Sequence, residues 1–131
     1  MLKKFVFKHP VPLSAAWAAL IFILCAMPGR YIPSASWLEM LSIDKLVHTG
    51  IFFVLGVLLI LSSVTRYMQF SAAMVLLFLG ACYGVLLEVG QASFFSGRSM
   101  EVLDAVANAA GIFGSAIFYG RLKRAGTDPV T

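Results

Sequence analysis

Apolar residues run along this chain in long unbroken stretches, with polar residues gathered at the stretch ends. Four such stretches cover residues 13–27, 46–64, 70–94 and 102–119. Each is near the length of about 20 residues that a helix needs to cross a bilayer. None alternates apolar with polar positions, which disfavours a transmembrane β-barrel. The pattern predicts an all-α membrane protein, a bundle of four transmembrane helices forming a single domain over 1–131, with a loose tail at 125–131. Pro12 starts the first helix and Pro28-Gly29 stops it. Lys3, Lys4 and Lys8 before that helix invite comparison with a secretory signal. The exit Cys25-Ala26-Met27-Pro28 lacks a small-x-small cleavage pattern, so the segment is read as a retained anchor.

Composition narrows the class further. Hydrophobic residues make up 60% of the chain and charged residues 12%, with a mean hydropathy of +0.92. Soluble domains are nearer 45–50% apolar and about 25% charged, and a small domain cannot hide so much apolar surface. Disorder is excluded by the same figures. Of the ten basic residues, seven (Lys3, Lys4, Lys8, Arg66, Arg121, Lys123 and Arg124) fall on the side shared by both termini, and Arg30, Lys45 and Arg98 on the other. Basic residues favour the cytoplasmic side, so both termini are expected inside. The net charge of +4 then expresses topology, and nucleic acid is not an expected partner. Cys25 and Cys82 fall within apolar stretches and read as small hydrophobes without a disulfide. Trp17, Trp37, Tyr31, Tyr67 and Tyr119 read as packing or interfacial aromatics.

The acids are distributed one-sidedly. Asp128 alone belongs to the cytoplasmic side; Glu39, Asp44, Glu88, Glu101 and Asp104 all map to the outer half or its loops. Lys45, His48, Gln91, Arg98 and Asn108 join them there. Residues three and four apart share a helix face, and two stripes follow from that spacing. On the third stretch Gly80, Gly84, Glu88 and Gln91 align; on the fourth Asp104, Asn108, Gly111 and Ser115 do the same. Asp44 and His48 are likewise four apart. Small residues let helix backbones approach closely in lipid. The stripes are therefore expected to face inward, tight toward the cytoplasm and opening outward into a polar cleft. Glu88 lies roughly 9 Å inside the end of its helix at about 1.5 Å per residue, where an acid needs a partner and is a functional candidate.

Plainer readings exist for several of these residues. Glu39 and Glu101 fit solvated loop acids, Ser42 or Asp44 a helix cap, and Arg98 a membrane-surface cation. His48 alone would fit a hydrogen-bonded packing residue. Glu88, Asp104 and Asn108 would also fit a buried network that sets helix register. As chemistry, His48, Glu88 and Asp104 are the candidate catalytic acid–base groups. Asp44, Lys45, Gln91, Arg98, Glu101 and Asn108 are the candidate substrate-binding residues, with Lys45 and Arg98 suited to a phosphate. No cofactor and no metal is expected, since there is no dense ligand motif, although a divalent ion is conceivable through His48, Glu88 and Asp104. No serine or cysteine has an evident base partner in sequence.

In order, these motifs are Asp44-Lys45-x-x-His48, Glu88-x-x-Gln91, a Phe-Ser-Gly-Arg98-Ser hairpin and Asp104-x-x-x-Asn108-x-x-Gly111. The set resembles the VanZ-like family of small bacterial membrane proteins, named after a teicoplanin-resistance protein, over roughly residues 44–114. The family usually has an acid, often Asp, three residues after the hairpin arginine; here Glu101 stands there. The resemblance implies residence in the bacterial cytoplasmic membrane and a link to glycopeptide antibiotic susceptibility. It also implies a membrane lipid or lipid-linked envelope precursor as partner, with protein partners in the membrane as the alternative. Whether the protein is an enzyme or a non-enzymatic accessory subunit stays open at this level. A proton-coupled transporter is the weaker third reading, because the cytoplasmic halves are apolar.

Overall fold

The computed structural model describes residues 2–27, 43–94 and 102–127, and among them it is all-helical. In chain order the elements are α1 (Leu2–Lys8), α2 (Pro10–Ala26), α3 (Ile43–Thr65), α4 (Phe70–Phe94), α5 (Val102–Gly114), a 3-10 turn (Ser115–Phe118) and α6 (Tyr119–Thr127). Three helical runs, Lys45–Thr65, Phe70–Phe94 and Val102–Ala125, are long and apolar enough to cross a membrane. The third expected stretch coincides with α4, and the fourth passes through the 3-10 turn and continues beyond residue 119 in α6. α2 is the shorter member at 17 residues, roughly 26 Å at about 1.5 Å per residue.

Local chemistry explains the breaks. Pro10 opens α2 at a position where proline's missing N–H costs nothing. His9 just before it is pushed out of helical geometry, with φ −127° and ψ 45°. α3 ends differently. Tyr67 adopts a left-handed φ of 54°, Met68 N–H donates to the Ser63 carbonyl at 3.0 Å and Tyr67 N–H to the Val64 carbonyl at 3.0 Å. These two bonds form a Schellman cap, which satisfies two of the orphan carbonyls at the end of α3 and reverses the chain into α4.

The bundle exposes apolar side chains and buries its polar ones beside an apolar core. Leu20, Ile23, Leu46, Val75, Phe78, Leu86, Val106 and Ile117 are exposed, whereas His48, Glu88, Gln91, Asp104 and Asn108 are buried. A surface of this kind suits lipid, in which backbone and side-chain polar groups must find partners within the protein. The protein is on these grounds a membrane protein. α3 sits at the centre, packed against α2, α4, α5 and α6, and its most extensive contact is with α5. Phe52, Leu55 and Ile60 of α3 meet Ile21 of α2, Leu77 of α4 and Ile112 of α5 in the core.

Both glycine-bearing stripes face this core: Gly80, Gly84, Glu88 and Gln91 are buried on α4, and Asp104, Asn108, Gly111 and Ser115 at and beyond α5. Gly111 matters most for geometry. A Cβ there would collide with the Thr49 carbonyl oxygen of α3 and stand 2.9 Å from the Phe53 nitrogen. One turn on, a Cβ at Gly56 would collide with the Ser115 hydroxyl and lie 2.9 Å from the Ile112 carbonyl. α3 and α5 therefore touch nearly backbone to backbone.

Side chains tie α2 to α3 and α4. The Trp17 indole N–H donates to the Ile51 carbonyl at 2.9 Å. The Tyr83 hydroxyl donates to the Ala18 carbonyl at 2.7 Å. Ser14 and Ser62 share a hydroxyl contact at 3.0 Å toward the opposite end of the bundle. Trp17 thus acts as an interhelical donor besides packing. Cys25 and Cys82 are free thiols.

The same substitution is expected to have opposite effects at two glycines of this bundle. Gly111→Ala forces α5 off the α3 backbone and should destabilise by about 2 kcal/mol or more, the scale of overpacking. Gly50→Ala meets nothing within 4 Å and should be neutral or stabilising by up to about 1 kcal/mol through helix propensity. Unfolding by SDS titration from mixed micelles measures both.

Candidate functional site

Four helices meet at one end of the bundle: α2 and α4 with their C-terminal turns, α3 and α5 with their N-terminal turns. Lys45 and His48, three apart on α3, face Asp104 and Asn108, four apart on α5, and Glu88 reaches them from α4. Helical periodicity makes each pair share a face, and the Gly111 contact holds the two faces close enough for the side chains to meet.

The contacts form a chain. His48 Nδ1 lies 2.9 Å from Asn108 Oδ1, and Asn108 Nδ2 donates to Glu88 Oε1 at 3.5 Å. A carboxylate accepts and an amide nitrogen donates, so the amide turns its oxygen toward the ring. His48 Nδ1 is then the nitrogen that donates to Asn108, and a lone pair offered by the ring would be that of Nε2. His48 Nδ1 also stands 3.7 Å from Glu88 Oε1. Nearer the rim, Lys45 Nζ lies 3.1 Å from Asp104 Oδ1. This pair is an ionic contact only, for the buried Asp104 Oδ1 accepts no hydrogen bond.

Burial deepens from Lys45 inward. The Lys45 side chain is 29% exposed, whereas Asp104 is 7%, His48 6%, Asn108 1% and Glu88 1% exposed. Gly84 and Phe52 close the floor: a Cβ at Gly84 would lie 3.0 Å from both the Phe52 ring and Asn108 Cβ. A donor atom from each of His48, Glu88 and Asp104 falls within 4.8 Å of the others. Three potential acid–base groups from three helices thus converge in one buried cluster.

Gln91 belongs to the same stripe as Glu88 but is joined elsewhere. Its amide donates to the Cys25 carbonyl at 3.2 Å, one of the carbonyls that a helix leaves unpaired in its last turn. It therefore anchors the end of α2 beside the cluster. Nothing in the one-dimensional spacing distinguishes these two directions, because the acceptor is a backbone group of another helix. Asp44 lies in the first turn of α3. Arg98 and Glu101, together with Arg30, Tyr31, Trp37, Glu39 and Asp128, lie outside the described residues. Of the hydroxyls on α3, that of Thr49 lies next to His48, and it donates to the Lys45 carbonyl at 2.8 Å.

What the arrangement can do follows from its members. An imidazole with one nitrogen held by an amide and two carboxyl groups at different depths can exchange protons with a bound molecule. Lys45 at the rim offers an ammonium to an anion. The comparisons add no relative: no family model, no curated protein and no solved structure matches this chain.

Asn108 should be the stability-critical member of the cluster. Asn108→Leu removes the partner of a buried donor and of a buried acceptor together, each worth about 1–3 kcal/mol. A loss of about 2 kcal/mol or more is expected in the SDS unfolding titration, and about 1 kcal/mol for Gln91→Leu, whose Cys25 carbonyl lies at a helix end.

Proposed function

We propose that the protein is a four-span, VanZ-like protein of the bacterial cytoplasmic membrane that takes an anionic, lipid-linked envelope headgroup at its outer face. In this reading α2 is the fourth span, and both termini are cytoplasmic. The support for the orientation is electrostatic. Lys4, Lys8, Arg66, Arg121, Lys123 and Arg124 cluster at the end of the bundle opposite His48 and Glu88, the end that the positive-inside tendency assigns to the cytoplasm.

The observation that carries the proposal is the convergence of His48, Glu88 and Asp104 within 4.8 Å in an otherwise apolar bundle, with the half-buried Lys45 at its rim. Ionisable groups inside a membrane protein are costly and mark functional sites by default. Lys45, and Arg98 through the resemblance, would hold a phosphate; His48, Glu88 and Asp104 would move protons during hydrolysis or transfer at a phosphodiester or glycosyl linkage. The sequence motifs that resemble the VanZ-like family are the same positions, which favours a role in glycopeptide susceptibility.

A second reading, a non-enzymatic accessory subunit of an envelope complex, is favoured by one feature. Among the described residues the cluster contains no hydroxyl or thiol poised as a nucleophile. Substitutions separate the two. If the carboxyl groups do acid–base work, Glu88→Gln and Asp104→Asn should each abolish the effect of the protein on teicoplanin susceptibility in an expressing bacterium, at unchanged membrane levels. Full effect in both variants would overturn the enzymatic reading.

Headgroup recognition is tested directly by native mass spectrometry from neutral detergent. A polyprenyl phosphate should bind at least about tenfold more tightly than the uncharged polyprenol, the scale of one charge-assisted contact. Lys45→Gln should remove most of that preference. Equal binding of the phosphate and the alcohol would sink the proposal. A C-terminal alkaline phosphatase fusion, active only outside the cytoplasm, should be inactive.

A further inference from the structure

The electrostatic composition of the cluster raises a question that substrate binding alone does not answer. Among the described residues it gathers two carboxyl groups, one ammonium and one imidazole, and so carries no surplus of positive charge with which to attract an anion. Both Glu88 and Asp104 are buried. Their placement fits a different occupant.

We propose that His48, Glu88 and Asp104 form a binding site for one divalent transition-metal ion of the zinc type. Each residue offers one donor atom, one nitrogen and two carboxylate oxygens, and the three lie within 4.8 Å of one another. A shell at about 2.0–2.2 Å from the ion sets tetrahedral donors roughly 3.3–3.6 Å apart. With Nδ1 turned to Asn108, the imidazole would bind through Nε2, and side-chain rotation closes the gap between the 4.8 Å envelope and that spacing. A mixed nitrogen and oxygen set favours zinc-like ions over calcium or magnesium, which prefer oxygen alone.

Two further observations point the same way. Asp104 Oδ1 is buried and has the Lys45 ammonium 3.1 Å away with no hydrogen bond between them, so an ion bound there would take the place of that ionic contact. Asn108 holds one ring nitrogen of His48 at 2.9 Å, the kind of outer contact that orients histidines in metal sites. Three protein ligands leave a fourth position open. The ion would offset the two carboxylates and present a positive centre to a phosphate oxygen, beside Lys45. Metal binding itself requires no substrate and is independent of the headgroup reading.

The test uses the full-length protein in detergent, stripped with a chelator and titrated with Zn²⁺ or Co²⁺. One equivalent should bind, and Co²⁺ should give the visible absorption of a four- or five-coordinate ion without a thiolate charge-transfer band. His48→Gln, Glu88→Gln and Asp104→Asn should each weaken affinity at least about tenfold, as should Asn108→Leu through the outer contact. His9→Gln, which alters the other histidine of the chain, should leave affinity unchanged. Lys45→Gln supplies a readout that misfolding cannot imitate. Removing the ammonium 3.1 Å from Asp104 should tighten metal binding by at least about fivefold, because like charges repel strongly at that range. Absence of stoichiometric binding to the wild-type protein overturns the proposal, as does a thiolate band or a Lys45→Gln variant that binds more weakly. Retained metal binding with no preference for a polyprenyl phosphate would leave the metal site standing and remove the headgroup reading.

Discussion

Gly111 of α5 rests against the Thr49 carbonyl of α3 with no space for a methyl group between them, and the rest of the structure depends on that contact. It sets the separation of the two helices one turn from His48 and Asn108. With any larger residue at 111, α5 would move outward and the 2.9 Å contact between those side chains would open. Gly56 repeats the arrangement one step toward the opposite end, against Ser115 and the Ile112 carbonyl. In lipid there is no hydrophobic gain from bringing two apolar helices together, so close van der Waals approach and interhelical hydrogen bonds carry the association. Small residues toward the middle and polar residues at one end supply these two terms on the same helix faces.

That division of labour explains why the polar cluster is tolerable. A buried carboxyl group in an apolar bundle is costly unless its environment is polar and well ordered. Glu88 meets Asn108 and His48, Asp104 meets Lys45, and Gln91 uses a spare carbonyl at the end of α2. Asn108 has the central position, donating on one side and accepting on the other. Such a network rigidifies the end of the bundle and positions the His48 ring with one nitrogen committed. Structure and chemistry are therefore not competing readings of these residues: the contacts that hold the helices in register also present the imidazole and two carboxyl groups to one point.

The surrounding architecture serves the same point. α3, packed against α2, α4, α5 and α6, carries His48 on its buried face. Trp17 and Tyr83 fasten α2 to α3 and α4 through backbone carbonyls, so α2 is held by directional bonds as well as by packing. The exposed faces of α4 and α5, rich in Leu, Val and Phe, are left to the lipid. At the far end Ser14 and Ser62 meet through hydroxyls, and the described side chains there bring no acid–base group into the core.

Much of this was legible in one dimension. Unbroken apolar stretches define helices because, without water, the backbone must satisfy its own hydrogen bonds; the limits of α4 follow from the sequence residue for residue. The three-four spacing of Gly80, Gly84, Glu88 and Gln91, and of Asp104, Asn108, Gly111 and Ser115, assigns each set to one face, and both faces are buried. Spacing along a helix says which residues share a face but not which partner that face meets. Only the folded chain decides that Asn108 lies between His48 and Glu88, that Gln91 turns to Cys25 instead, and that Lys45 pairs with Asp104. It alone extends the last helix through a 3-10 turn and gives Tyr67 a left-handed backbone. Those outcomes depend on backbone groups of distant segments and on the distance between helices, quantities set by packing in three dimensions and carried by no local pattern of residues.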